Sequence, residues 1–199
     1  ESEKILNVNK SVDPIRDLEI IETEILLSDL ESLEKRLEKS NKKKLETDEI
    51  NFLEEAFKII SSGKNISILN ENFNKNIIKR SGLLSLKPRI IVCNVDENSL
   101  PSGNKYSDIC KNKFKNEDII IVCADIEDQI MSLQKKDREE FMFESGIKST
   151  GLNNLITAGY NELGLSTFFT SVPAECRAWT IEKNTNAANA VGIIHTDCE

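Results

Sequence analysis

The sequence predicts an α/β protein in which a helical hairpin precedes a short parallel sheet and a smaller β element follows. Three observations predict it. Apolar residues over positions 13–63 recur at steps of three and four. Two continuous Ile/Val runs, at 89–94 and 118–124, flank a short helical stretch. An aromatic and β-branched run with a central proline begins at Leu165.

The helices come first. Asp13 is a natural N-cap, Pro14 suits the first helical position, and Asp17 and Glu19 favour the positive end of the helix dipole. Leu18, Ile21, Ile25, Leu26, Leu30, Leu33 and Leu37 then make a broad apolar stripe. After Lys42, Lys43 and Lys44, a second run places Ile50, Leu53, Phe57 and Ile60 on one face, and Gly63 stops it. The expected product is an antiparallel helical hairpin with a basic tip, followed by a weaker helix at 73–84, so that residues 13–86 form one helical region. Charge runs ordinarily face solvent, which is the default for the three lysines; a phosphate-binding tip is the alternative.

The runs RIIVCN and DIIIVCA read as strands buried on both faces of a parallel sheet, joined through a helix at 107–114 as a right-handed βαβ unit. Helices follow at 126–133, 136–145 and 152–163, ending at Gly164. A domain boundary is expected there, separating 87–164 from 165–199, where STFFTSVPAECRAWTI reads as a β-hairpin and NTNAANAVG as a short helix. Alternating aromatics such as Phe168, Phe169 and Trp179 are ordinarily core, with base stacking as the alternative.

Composition narrows the function. With 199 residues, 39% of them hydrophobic, the chain has enough apolar material for a core. A formal charge of −8 argues against coating nucleic acid or an anionic membrane with the whole surface, so any RNA contact must use a local patch. Cys93, Cys110, Cys123, Cys176 and Cys198 show no C-x-x-C spacing, and are expected as buried thiols in a reducing cytoplasm. No window approaches the length of apolar sequence that a membrane span needs.

Ligands of open parallel sheets collect at the carboxyl ends of strands, which is where Asn94 and Ala124 fall. GTPases place an N-K-x-D motif there, because an Asn amide addresses purine N7 and an Asp carboxylate accepts the two N–H donors of guanine. Here the tetrapeptide is Asn94, Val95, Asp96 and Glu97, without the lysine and with glutamate last. Alone, such a tetrapeptide is ordinarily a strand-end turn. A second strand ending at Cys123 and Ala124 supplies a small-residue wall that completes the comparison.

Beyond these residues, VDPIRDLEIIETEILLSDL, LSLKPRIIVCNVDE, DREEFM, AGYNELGLSTFFT, ECRAWTI and GIIHTD together resemble the Obg-like ATPase family over nearly the whole chain. The resemblance implies a P-loop GTPase-like domain interrupted by a coiled-coil helical hairpin and followed by a TGS domain of β-grasp type. It implies binding and hydrolysis of ATP, with GTP as a second nucleotide, Mg²⁺ held by residues outside this chain, and a monomer that works in the cytoplasm on the ribosome or its RNA. Asn94, Val95, Asp96 and Glu97 would flank the base and Ala124 would line its far side. Lys42, Lys43, Lys44 and His195 would be contacts to RNA or ribosome.

Phosphoryl transfer needs a phosphate cradle, and G-x-x-x-x-G-K-[ST] does not occur in the sequence; Gly63-Lys64 lacks both the earlier glycine and the following hydroxyl. The resemblance therefore implies that residues 1–12 lead out of a GTPase-like half encoded before this chain, that the chain stops early in the TGS domain, and that alone it is inactive. Where the family carries a histidine proposed to assist hydrolysis, this sequence has Asn7, whose amide exchanges no proton near neutral pH. Ile193 and Cys198 replace the usual Lys and Phe near the end. The alternative function is a non-catalytic module that binds ribosome or RNA through the lysine tip and the TGS surface.

Overall fold

A computed structural model describes residues 11–40, 46–64, 66–115, 117–173 and 175–194. Asn7, Lys42, Lys43, Lys44, His195 and Cys198 lie outside the described residues. The chain divides into two compact units, Asp13–Lys87 and the remainder. It is a mixed α/β fold, mostly helical, with one small parallel and one small antiparallel sheet.

The first unit is helical. Helix α1 spans Pro14–Ser40 and α2 spans Thr47–Ser61. Asp13 caps α1 as its sequence position requires: its carboxylate accepts from the Arg16 amide at 3.1 Å. Near the far end of α1, Arg36 reaches Glu49 in the first turn of α2 at 3.4 Å, so that the end of one helix lies beside the start of the next. Leu33, Phe52, Leu53, Ala56 and Leu69 are fully buried in one core, onto which Leu26, Leu30 and Leu37 pack. The stripe of α1 is covered unevenly: Leu18 and Ile25 are half-buried, whereas Ile21 remains 51% exposed.

The weaker helix expected at 73–84 is present but shorter, Lys75–Ser81, with a separate short helix before it. Helix α3, Leu69–Asn72, ends where Phe73 turns extended, and Asn74 then caps α4, Lys75–Ser81, by accepting from the Asn76 amide. Gly82 ends α4 with φ of 67°, a conformation that costs glycine nothing. Phe73 leaves the helical path to meet Phe52 edge-on, with ring centroids 5.2 Å apart. A following 3₁₀ turn at Leu84–Leu86 is held from a distance by Asp29 on α1. That buried carboxylate accepts from the Leu84 amide at 2.9 Å, the Ser85 amide at 2.8 Å and the Ser85 hydroxyl at 2.6 Å.

The second unit carries the strands. Strand β1, Ile91–Asn94, pairs in parallel with β2, Ile119–Val122, and α5, Lys105–Lys113, makes the crossover. A reciprocal capping box between Asn104 and Ser107 starts α5. Arg89 grips Glu117 with two guanidinium nitrogens, which ties the approaches to the two strands together. Burial on both strand faces is not what the structure gives: Ile91 and Ile120 are buried, whereas Val92 keeps 43% exposure. The sheet has two strands among the described residues.

Helices α6, Ala124–Ser132, α7, Lys135–Glu144, and α8, Gly151–Glu162, follow, so Ala124 begins a helix rather than ending a strand. Cys123, Ile126 and Ile130 are the buried cluster of this part, with Leu100, Phe141, Met142 and Ile147 against it. Strands β3, Leu165–Val172, and β4, Glu175–Glu182, form the expected antiparallel hairpin, and α9 spans Ala187–Gly192. Phe168 pairs with Trp179 and Phe169 with Ala178, so the neighbouring phenylalanines face opposite sides. Phe168 and Trp179 are half-buried, but Phe169 is 71% exposed and does not join a core. Cys93, Cys110, Cys123 and Cys176 carry thiols rather than disulfides; Cys110 and Cys123 are buried, Cys93 is half-buried, and Cys176 lies exposed on β4.

Candidate nucleotide-base site at the strand ends

The parallel register sets Asn94 opposite Val122, so both strands end at the same level. The Val95 amide extends the ladder by one bond, donating to the Val122 carbonyl at 2.8 Å. One residue further, the chain of β2 turns into α6. There the Ala124 amide donates to Asn94 Oδ1 at 3.0 Å, across 30 positions of sequence. Asparagine suits this position because one amide both accepts through its oxygen and donates through its nitrogen. A leucine or valine here would leave the first amide of α6 without this acceptor.

The remaining predicted residues divide sharply. Asp96 and Glu97 are exposed; the Asp96 carboxylate accepts from the Ser99 hydroxyl, and Glu97 opens a 3₁₀ turn, Glu97–Ser99. Val95 points inward at 5% exposure and its amide is engaged by β2, so neither its side chain nor its N–H is presented at the strand end. Asn94 and Ala124 are thus the pair brought together, with two carboxylates on the turn beyond them.

Sequence reasoning missed the residues that hold this junction. Glu127, in the first turn of α6, accepts from the Gly151 and Leu152 amides at the start of α8. Gly151 lies so close to β2 that an added Cβ would stand 2.5 Å from Val122 Cγ1. Arg138, inside the DREEFM motif, donates from α7 to the carbonyls of Met131 and Leu133 at the far end of α6, at 3.3 and 3.2 Å. The acids of DIEDQ carried no signal separating Glu127 from its solvent-facing neighbours; only the GLNN start of α8 marked a helix end that needed acceptors. Among the described residues no group of three or more His, Cys, Asp or Glu side chains is arranged to hold a metal ion. A groove of about 1030 Å³ in the helical unit is lined by Glu54, Glu55, Lys58, Lys64 and Glu71, and belongs to different chemistry.

The chain is 36% identical over 211 residues to the ribosome-binding ATPase YchF of Bacillus subtilis, and 35% identical over 207 residues to that of Escherichia coli O157:H7. Those alignments cover 99% and 100% of this chain and 57% of each relative. Over almost its whole length the chain is therefore similar to one part of these YchF proteins. The solved structure of the Schizosaccharomyces pombe YchF GTPase is similar with a TM-score of 0.74 and 31% identity, over 99% of this chain and 56% of that one. Residues 165–199 match the YchF-GTPase_C family model, described as a protein of unknown function (DUF933). The chain thus spans little more than half the length of the YchF relatives it matches. No helix among the described residues is long and apolar enough to cross a membrane.

Proposed function

We propose that this chain is the base-binding and helical-insertion part of a ribosome-associated ATPase of the YchF type, whose phosphate-binding half is encoded ahead of residue 1. In this reading Asp13–Lys87 is the coiled-coil insertion, 88–164 is the carboxyl half of a P-loop GTPase-like domain, and 165–199 begins a TGS domain. The single observation that carries it is the Asn94–Ala124 bond at the level ends of two parallel strands. That bond places a polar amide beside a small-residue wall, where a flat ring can be held at its edge and face.

Asn94 contributes N–H donors for purine N7, an acceptor that adenine and guanine share, so this residue binds a base without choosing between them. Choice falls to the turn that follows. Glu97 in place of a terminal Asp moves the carboxylate by one methylene, which loosens the clamp on the paired N–H donors of guanine and leaves adenine acceptable. The relatives carry both names, ATPase for the bacterial proteins and GTPase for the yeast structure, which brackets that choice. The phosphates and Mg²⁺ belong to the half outside this chain, and no hydrolytic step is assigned to residues within it.

The test is nucleotide titration of the full-length protein. Asn94→Ala is expected to weaken ATP and GTP together by about tenfold, the loss of one good hydrogen bond. Glu97→Asp is expected to strengthen GTP relative to ATP. Unchanged affinities in both variants would sink the assignment.

A second reading, contact with ribosomal RNA without turnover, is favoured by the hairpin. Phe169 stands 71% exposed, and the Arg177 guanidinium lies 5.8 Å from the Trp179 ring centroid on the other face. In that reading Lys42, Lys43, Lys44 and His195 would also contact RNA. Loss of ribosome co-sedimentation in Arg177→Ala with nucleotide affinity intact would favour it.

A further inference from the structure

We propose that Glu127 is a positioning residue for the nucleotide base: it holds the turn at residues 122–124, and with it the Ala124 wall, by clamping the start of α8 against β2. The inference rests on the base-site reading above.

The carboxylate of Glu127 divides its two oxygens between two backbone donors. Oε1 accepts from the Gly151 amide at 2.5 Å and Oε2 from the Leu152 amide at 3.3 Å. These are among the N–H groups that a helix cannot satisfy internally, and negative charge is favoured at that end of the helix. Thr150 caps α8 locally, accepting from the Asn153 amide at 3.1 Å, so the remote acid does something the local hydroxyl does not. It ties α6 to α8 across 24 positions.

That tie sits directly against the strand end. A Cβ on Gly151 would lie 2.5 Å from Val122 Cγ1, 3.0 Å from Val122 Cβ and 3.1 Å from Glu127 Oε1, so Val122, Gly151 and Glu127 form one close-packed cluster. On the opposite side, the Val122 carbonyl accepts from the Val95 amide, and the Ala124 amide donates to Asn94. The turn that bears the wall is therefore held on one side by β1 and on the other by α8, and Glu127 is the polar link on the α8 side. Arg138 secures only the distant end of α6. Without Glu127 the α8 side of the turn loses its polar link, and the gap between the wall and Asn94 is less tightly fixed. Sub-ångström changes of this kind are what stacking and edge recognition respond to.

The experiment separates base from phosphate binding in the full-length protein, by calorimetric titration with ATP and, in parallel, with inorganic tripolyphosphate, which has no base. Glu127→Ala is expected to weaken ATP about tenfold, the size of one lost charge-assisted hydrogen bond, and to leave tripolyphosphate unchanged. Glu127→Gln retains a carbonyl acceptor and is expected to recover most of the affinity. Gly151→Ala keeps the acid but pushes α8 off Val122, and is expected to reproduce the selective loss. Asn94→Ala is the control for the base site itself. If Asn94→Ala weakens ATP selectively while Glu127→Ala and Gly151→Ala leave it unchanged, the positioning role fails and the base site stands. If all three leave the ratio of ATP to tripolyphosphate affinity at the wild-type value, the base site fails and the positioning role with it. Equal losses on both ligands overturn the positioning role in favour of general destabilisation. Should Glu127→Ala not fold, the ratio measured for Glu127→Gln and Gly151→Ala decides between the same outcomes.

Discussion

The helical unit and the β3–β4 hairpin are stabilised in opposite ways. In the helical unit Leu33, Phe52, Leu53, Ala56 and Leu69 are withdrawn completely from water, and even a carboxylate, Asp29, is buried with three donors around it. No described residue of β3 or β4 is buried. The hairpin relies on its ladder, on cross-strand pairs such as Phe168 with Trp179, and on side-chain hydrogen bonds, among them Trp179 Nε1 to Thr170 at 2.9 Å and Lys183 to Asn161 at 2.8 Å. Substitution should therefore be costly where atoms have no room to relax and cheap where solvent replaces them. The strand-end site lies between these extremes: a small buried cluster, Cys123, Ile126 and Ile130, underlies an exposed polar junction.

That contrast is broken or sharpened by variants of decreasing effect. Phe52→Ala removes a fully buried ring and its edge-on contact with Phe73, and should cost about 3–5 kcal/mol. Urea unfolding followed by circular dichroism measures it. Trp179 is the single tryptophan and sits in the hairpin, so its fluorescence reports that region separately. A fluorescence midpoint lowered as far as the dichroism midpoint would mean that the two regions unfold as one. Next, Asp29→Ala leaves the Leu84 and Ser85 amides without their acceptor and should cost about 2–3 kcal/mol, read from the same denaturation curves. Asp29→Asn, which keeps one acceptor oxygen, should lose less; an equal loss would assign the effect to charge rather than to hydrogen bonding.

Phe169→Ala should fall within about 0.5 kcal/mol of wild type, since most of the ring is already in water. A loss several times larger would show that the ring is covered in the protein in solution. The smallest effect is expected at Glu31. A hydrogen bond and then the charge of Lys35 hold its carboxyl below the ordinary glutamate value. A lowered carboxyl contributes stability above its unfolded pKa and loses it as pH falls through the folded value. Glu31→Gln should therefore narrow the difference in stability between neutral pH and acid, by an amount that salt suppresses because both side chains of the pair are exposed. Thermal unfolding across that pH range at low and high salt is the measurement.

The elements that followed from the text were those governed by neighbours in sequence. Asp13 with Pro14, Asn104 with Ser107 and Gly164 after α8 announce helix boundaries, and the Ile/Val runs announce strands. Where the reading went astray, a distant partner had intervened. The helix expected from Phe73 begins two residues later, where Phe73 packs edge-on to Phe52, and Ala124 passed from strand to helix where Asn94 accepts its amide. The candidate site was legible as two strand ends with an amide and a small residue, and illegible in how those ends are held.

Sequence alone thus determined which segments coil, which extend, and which residue types stand at their ends, because capping bonds and periodic faces involve residues a few positions apart. Tertiary structure alone decided that Asn94 meets Ala124 across 30 positions, Glu127 meets Gly151 across 24, and Asp29 meets Leu84 across 55. Nothing in those pairs marks one residue for the other. Each bond depends on loops closing first, and closure is driven by apolar burial elsewhere in the chain rather than by the polar groups that it brings together.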